Sequence, residues 1–304
     1  MKKIVVTGAS GFIGKALCER LLSEGNYVYA IVRNKEKLKD LSRFENLNVI
    51  ELEMKDYNNL SSKVNDEIDT MFHFAWQDSA GPNRMNYGIQ IPQIQYTCDT
   101  VMQAHEMKCK KFIFAGSISY FMHKHYLNNK ENACRQTCLY GTAKNAANMF
   151  CRTICHNLNM KYNDVLFTNI FGVGDYSMRS TNVIINKLIN NEKPVLVEGE
   201  YKYDWFYIDN AVEALLAVEK QGVDFKSYYI GNKEITTLKE ILINVGQILN
   251  PDMELEFGGF NDTTHADYTQ IDTSALYEDT NYKEKVSFKE AILRTAEWVR
   301  GLKI

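Results

Sequence analysis

Tyr140-Gly141-Thr142-Ala143-Lys144 sets a phenol and an ammonium four residues apart in a stretch that reads as a helix. At that spacing the two side chains share one helix face. A phenol titrating near ~10 is a poor base at neutral pH, and a cation beside it favours the phenolate and brings proton transfer within reach. Such a pair arises by chance in many chains, so its meaning depends on what the fold sets against it.

A second chemical feature lies at the other end of the chain. Val5-Val6-Thr7-Gly8-Ala9-Ser10-Gly11-Phe12-Ile13-Gly14 joins a β-branched run to an amphipathic helix. Glycines in such a turn let backbone N–H groups approach a pyrophosphate and let the helix pack closely on the sheet, with the helix N-terminus facing the negative charge. A strand end that prefers NAD carries a carboxylate for the ribose hydroxyl, whereas one that prefers NADP carries arginine. Here the second strand ends in Val32-Arg33-Asn34-Lys35, with no acid. Arg33 is placed to clamp a 2′-phosphate, with Lys35 adding charge, so NADP is the expected cofactor and NAD the alternative.

The turn's Thr7 to Gly14 spacing resembles that of the short-chain dehydrogenase/reductase superfamily, in its extended branch of nucleotide-sugar epimerases, dehydratases and reductases. The resemblance covers essentially the whole chain and extends to several further stretches. Lys111 to Ser117 is similar to a strand that ends on the family's active-site serine. By that resemblance Ser117, Tyr140 and Lys144 are catalytic: Ser117 orients the reacting oxygen, Tyr140 donates or removes its proton, and Lys144 also holds the nicotinamide ribose. Thr7, Gly8, Ser10, Gly11, Phe12, Ile13 and Gly14 form the phosphate turn. Glu53 and Met54 match the stretch near the adenine, and Phe74-Ala75-Trp76 the stretch beside the cofactor.

The same resemblance shades the reaction. Family dehydratases carry an Asp-Glu pair after the serine, whereas this chain has Ile118-Ser119, which argues against water elimination. Ketoreduction and epimerisation remain. Asn169 to Asp175 and Asp204 to Asp209 are similar to the substrate loops, but Tyr203 stands where an arginine commonly grips the substrate diphosphate, and Leu166 replaces a second arginine. Arg179 or Lys202 is the candidate substitute. Substrate-binding expectations are therefore Trp76, Ser119, Asn169, Arg179 and Tyr203.

These groups need elements to position them. Short β-branched runs alternate with helical patterns, the mark of right-handed parallel βαβ units in a doubly wound α/β sheet that binds ligands at its carboxyl edge. Strands are expected at 4–6, 27–32, 48–52, 70–75, 111–115 and 164–169, and helices at 15–23, 94–107 and 140–157. Beyond residue 169 a loop (171–179), a helix (183–190), a short strand near 194–197, a strand at 205–208 returning to the main sheet and a helix capped by Asp209 are expected, followed by two amphipathic helices. This divides the chain into a dinucleotide-binding Rossmann domain (1–169 and about 203–232) and a smaller substrate lobe (about 170–202 and 233–304).

Composition bounds the rest. The 304 residues carry 35 Lys plus Arg against 38 Asp plus Glu, a net charge of −3, without the clustered basic excess of a nucleic-acid binder. No apolar run is long enough to cross a membrane and the N-terminus does not read as a signal peptide, so a cytoplasmic location is expected. The count of seven cysteines is odd, which favours reduced thiols. The close pairs Cys134/Cys138 and Cys151/Cys155 with His156 have spacing that zinc permits, but helical burial of small apolar side chains is the preferred reading, and no metal is expected.

The leading functional expectation is an NADP-dependent reductase of a 4-keto nucleotide sugar. The alternatives are a nucleotide-sugar 4-epimerase, a reductase of a small non-sugar carbonyl, and a non-catalytic cofactor sensor. The resemblance also implies a homodimer built on the helices at 94–107 and 140–157.

Overall fold

The first strand, β1 (Lys3–Thr7), alternates its side chains across the sheet: Ile4 and Val6 enter one apolar layer and Val5 the other. A computed structural model describes residues 1–122, 138–260 and 266–302. After β1 come α1 (Phe12–Ser23), β2 (Tyr27–Val32), β3 (Leu47–Glu51), β4 (Thr70–His73), α2 (Tyr87–Glu106), β5 (Lys111–Ser117), α3 (Cys138–Asn157) and β6 (Lys161–Phe167). The second half holds β7 (Asn169–Phe171), α4 (Ser180–Ile189), β8 (Lys202–Tyr203), β9 (Trp205–Tyr207), α5 (Ile208–Gln221), β10 (Ser227–Ile230), β11 (Thr236–Thr237), α6 (Leu238–Leu249), α7 (Ala275–Thr280) and α8 (Phe288–Arg300).

Seven strands form one parallel sheet in the order β10-β6-β5-β4-β1-β2-β3. The order reverses beside β1 and β4, so their carboxyl ends open a crevice where a doubly wound sheet binds its ligand. The expected α/β class is the observed one. One apolar layer gathers Leu17 and Leu21 of α1 and Ala211 and Leu215 of α5, and continues through Leu242 of α6 and Ile292 of α8. The opposite layer gathers Val101 and Ala104 of α2 with Ala147, Cys151 and Cys155 of α3. Cys151 and Cys155 are thus core side chains. Cys134 and the side chain of Cys138 lie outside the described residues, among which no cluster of three His, Cys, Asp or Glu groups could hold a metal.

Several boundaries differ from the sequence reading. Helix α1 begins at Phe12 rather than Lys15, because the chain reverses at Gly8 and Gly11 takes the N-cap. Helix α2 begins at Tyr87, well before Ile94, since the Asn86 side chain accepts the Gly88 N–H and caps its first turn; Pro92 lies inside the helix. Segment 194–197 forms no strand, only an isolated bridge from Val197 to Phe260. The strand at Trp205–Tyr207 does not return to the main sheet: it pairs in parallel with β7, and β10 supplies the seventh strand instead. Asp209 is not the cap of α5 but lies within its first turn, with Tyr207 at the N-cap. Among the described residues no helix is long and apolar enough to cross a membrane.

Candidate active site

The glycine turn is shaped for close approach. Gly8 has φ +67°, and a Cβ there would meet the backbone of Phe74 and Ala75 at 2.8 and 2.7 Å. A Cβ on Gly14 would meet the Gly8 carbonyl oxygen at 2.4 Å, so α1 starts directly over the turn. This cradle, which a Cβ would fill, fits a pyrophosphate on backbone N–H groups. Thr7 is fully buried: its Oγ1 accepts the Ala75 N–H at 3.2 Å and lies 2.9 Å from Nδ1 of His73. Thr7 thus ties β1 to β4 beneath the cleft and does not line it. Burial pushes His73 down to about 3, leaving it a neutral core bridge between Thr7 and Thr97.

A cleft of about 920 Å³ runs along the strand ends. Its walls include Gly8, Ser10, Gly11, Phe12, Ile13, Gly14, Arg33, Glu53, Met54, Phe74, Ala75 and Trp76 of the expected cofactor set, together with Ser117, Tyr140 and Lys144. Lys35 is not in the wall; its backbone N–H donates to Glu51 Oε2 at 3.0 Å. Lys37 and Lys55 stand with Arg33 in its place. The intervening 3-10 turn, capped by Asn34, carries Lys37 back toward the cleft, a register that strand patterning does not show.

Strand β5 delivers Ser117 at its carboxyl end, and α3 brings Tyr140 to it. The Tyr140 phenol is hydrogen-bonded to Ser117, whose Oγ also accepts the Ser119 N–H at 3.1 Å. Burial raises Tyr140 above its ordinary value, opposed by the charges of Arg84 and Arg179 and by the Ser117 hydrogen bond. The Lys144 ammonium has partners of its own. Its Nζ donates to the Ala115 carbonyl at 2.8 Å and lies 4.1 Å from the Trp76 ring centroid and 4.8 Å from that of Phe114. Burial lowers Lys144 to about 7, against the pull of buried Asp164. The cation laid against the phenol ring is Arg84, 4.5 Å from the Tyr140 centroid, a residue the sequence reading passed over. The only signal for it was the Gly81-Pro82 turn three residues before.

On the substrate side Ser119, Asn169 and Arg179 line the cleft. Tyr203 does not: it belongs to β8, pairs with β11 and packs its ring 6.0 Å from Tyr201. Thr168 lines the cleft beside Asn169, and both side chains donate to the Asp204 carbonyl, at 3.3 and 3.2 Å. Among the described wall residues the sole carboxylate is Glu53, beside Met54 and away from Ser117 and Tyr140.

A parallel sheet with a glycine cradle at its first crossover, a serine at the end of β5 and a tyrosine and lysine on α3 defines an enzyme of the short-chain dehydrogenase/reductase type. Residues 4–231 match the NAD dependent epimerase/dehydratase family, and the chain belongs to that family. Among similar curated proteins, the dTDP-4-dehydro-6-deoxyglucose reductase of Escherichia coli is 26% identical over 283 residues, covering 88% of this chain and 87% of that protein. Among solved structures, a UDP-N-acetylglucosamine 4-epimerase of Methanobrevibacter ruminantium in complex with UDP-N-acetylmuramic acid shares the fold at TM-score 0.79 and 20% identity, with 98% of this chain and 97% of that one covered. A UDP-glucuronic acid 4-epimerase of Bacillus cereus in complex with NAD does so at TM-score 0.77 and 18% identity, with 98% of each chain covered.

Proposed function

We propose that this enzyme uses NADP(H) to reduce a 4-keto nucleotide sugar. The reading rests chiefly on one observation: Tyr140 is buried at the cleft wall, hydrogen-bonded to Ser117, with no carboxylate beside it among the described residues. A dehydratase needs acids at this position; a ketoreductase needs one proton donor.

When bound, the nicotinamide dinucleotide supplies the hydride. The chain does the rest. Backbone N–H groups at Gly8 to Gly14 hold the pyrophosphate, and Arg33, with Lys37 nearby, faces the 2′-phosphate. Lys144, held by the Ala115 carbonyl and near neutrality at about 7, donates to the ribose hydroxyls. Because the Ser119 N–H occupies one lone pair of Ser117 Oγ, the Ser117 hydroxyl is fixed to steady the substrate oxygen. Tyr140 passes its phenolic proton to that oxygen as it becomes an alcohol. Asn169 and Arg179 face the remainder of the substrate, with Arg179 on its anionic part.

Tyr140→Phe should reduce turnover at least ~1,000-fold, a loss at the scale of removing one general acid with its ordering effect, and leave NADPH affinity within about threefold. The assay is NADPH oxidation with a panel of CDP-, dTDP-, UDP- and GDP-linked 4-keto sugars. Retained turnover in the variant overturns the assignment. The 4-epimerase reading is supported by the epimerases among the similar structures; it predicts tightly held NAD⁺ after purification and no net consumption of NADPH.

The proposed assembly is a homodimer through α2 and α3, supported by the exposed apolar side chains of Ile91, Met102, Met149 and Phe150 on those helices.

A further inference from the structure

Three features outside the expected site stand out: the buried carboxylate of Asp164, the neighbouring thiols of Cys98 and Cys151 across α2 and α3, and the half-buried guanidinium of Arg84. Of the three, Arg84 is the one laid against the Tyr140 ring. Gly81, at φ +75°, turns the chain into a short 3-10 segment (Pro82–Met85) that carries Arg84 over the cleft. Two buried glutamines of α2 hold that segment from behind. Gln90 accepts the Trp76 indole N–H at 3.0 Å and donates to the carbonyls of Asn83 and Asp78 at 3.1 and 3.3 Å, and Gln93 accepts the Gln77 N–H at 3.0 Å. Arg84 is therefore placed by buried polar side chains rather than by a mobile surface.

Its own contacts are specific. Nη2 donates to Ser119 Oγ at 3.0 Å, and Ser119 in turn donates its N–H to the catalytic-site Ser117. The guanidinium carbon lies 4.5 Å from the centre of the Tyr140 ring. Nε is buried with no hydrogen-bond partner, and no ion pair to Arg84 occurs among the described residues. Arg179 is near enough for its charge to oppose that of Arg84. An unpaired guanidinium in this setting is expensive unless something in the reaction cycle carries a matching negative charge. The group it touches that can do so is the phenolate of Tyr140.

We propose that Arg84 is a positioning residue for proton transfer, supplying the positive charge that stabilises Tyr140 in its deprotonated form and locking Ser117 through Ser119. The inference rests on the reading of Tyr140 as the proton donor and acceptor. One proton moves between Tyr140 and the substrate oxygen; Arg84 exchanges none. The groups that face Tyr140 are Arg84 from the Gly81 turn, Arg179 from the segment before α4, Ser117 at the end of β5, Tyr120 just beyond it, and Lys144 on its own helix. Lys144 is engaged with Ala115 and Trp76, and Arg179 is exposed, so Arg84 carries the larger share of the charge effect.

The test is the pH profile of the 4-keto sugar nucleotide reaction run in the alcohol-oxidising direction with NADP⁺, in which Tyr140 must be deprotonated. Removing the cation in Arg84→Gln should move the alkaline rise in kcat upward by about one pH unit, roughly a tenfold loss at fixed pH on the rising limb. The KM for NADP⁺ should stay within about twofold, since Arg84 is not placed on the dinucleotide. Arg84→Lys keeps a cation and should return the limb toward its original position. Ser119→Ala, which frees the guanidinium without removing it, gives an intermediate shift and serves if Arg84→Gln does not fold. A profile in Arg84→Gln or Ser119→Ala that superimposes on the unmodified enzyme overturns the proposal, as does a loss of rate with the limb unmoved. Tyr140→Phe is the control that separates failures: if it retains turnover, the proton-donor reading itself falls; if it is inactive while the Arg84 profiles do not move, that reading stands and the Arg84 inference falls.

Discussion

Gly8→Ala puts a number on the phosphate turn. Gly8 adopts φ +67°, a left-handed conformation that costs an L-residue roughly 1–2 kcal/mol. The new methyl would also lie 2.7 Å from the Ala75 nitrogen and 2.8 Å from the Phe74 carbonyl carbon, both backbone atoms at the end of β4. Overpacking against atoms that have nowhere to go adds about 1–3 kcal/mol. Against this, an alanine lowers the entropy of the unfolded chain and returns about 0.4–1 kcal/mol. The balance is a destabilisation of roughly 1–4.5 kcal/mol, or about 2–7 °C in Tm for a chain of this size. Because relief comes only by parting the turn from β4, dinucleotide affinity should fall with it by at least ~10-fold, given how closely that backbone must approach the pyrophosphate. Gly25→Ala is the internal control. Gly25 has φ +80° but nothing within 4 Å of its would-be Cβ, so it should cost only the backbone strain, about 1 kcal/mol, and leave affinity alone. Differential scanning fluorimetry and NADPH fluorescence titration measure both quantities. Equal destabilisation by the two substitutions, or full affinity in Gly8→Ala, would refute the close-approach argument.

Other outcomes follow from the same geometry. Arg33→Ala should raise the KM for NADPH roughly 10- to 100-fold, the scale of one charge-assisted hydrogen bond to phosphate, and leave that for NADH within about threefold; steady-state kinetics with both cofactors decide it. Asp164 is raised by burial to about 7 from its ordinary 3.8, so the native state holds a proton there that the unfolded chain releases. Its contribution to stability is present at low pH and lost as pH rises through about 7, at up to about 1.4 kcal/mol per pH unit. Asp164→Asn should therefore compare progressively better with the unmodified protein in Tm as pH goes from about 4.5 to 8. A gap that widens instead contradicts the assignment. Met149→Glu combined with Phe150→Glu should yield monomers by light scattering if α3 is a dimer face, with little change in Tm because both side chains are solvent-exposed in one chain.

Local rules carried much of this protein. The parallel α/β class, the phosphate turn at Gly8 to Gly14 and the Tyr140/Lys144 pair were legible because strand alternation, glycine spacing and helical i,i+4 geometry are set within a few residues, whereas Ser117 as their partner came from the family resemblance of Lys111 to Ser117. The weaker predictions came where partners are distant in the chain. Whether Trp205–Tyr207 joined the main sheet depended on β7 and β10 competing for neighbours, which no local pattern records. Lys35 and Lys37 differ by two residues, and the 3-10 turn after Asn34 decides which of them reaches the cleft. Tyr203 carries the right spacing for a substrate contact, yet pairing with β11 turns it to another wall. The electrostatics of Tyr140 depended most on tertiary structure. Four-residue spacing brings Lys144 near it, but burial beneath Trp76 and the Ala115 carbonyl redirects that ammonium, while Arg84 arrives from a turn 56 residues earlier in the chain. Spacing along a helix determines which side chains share a face; which charge finally meets which ring is decided by packing, because desolvation and distance act through space and not along the sequence.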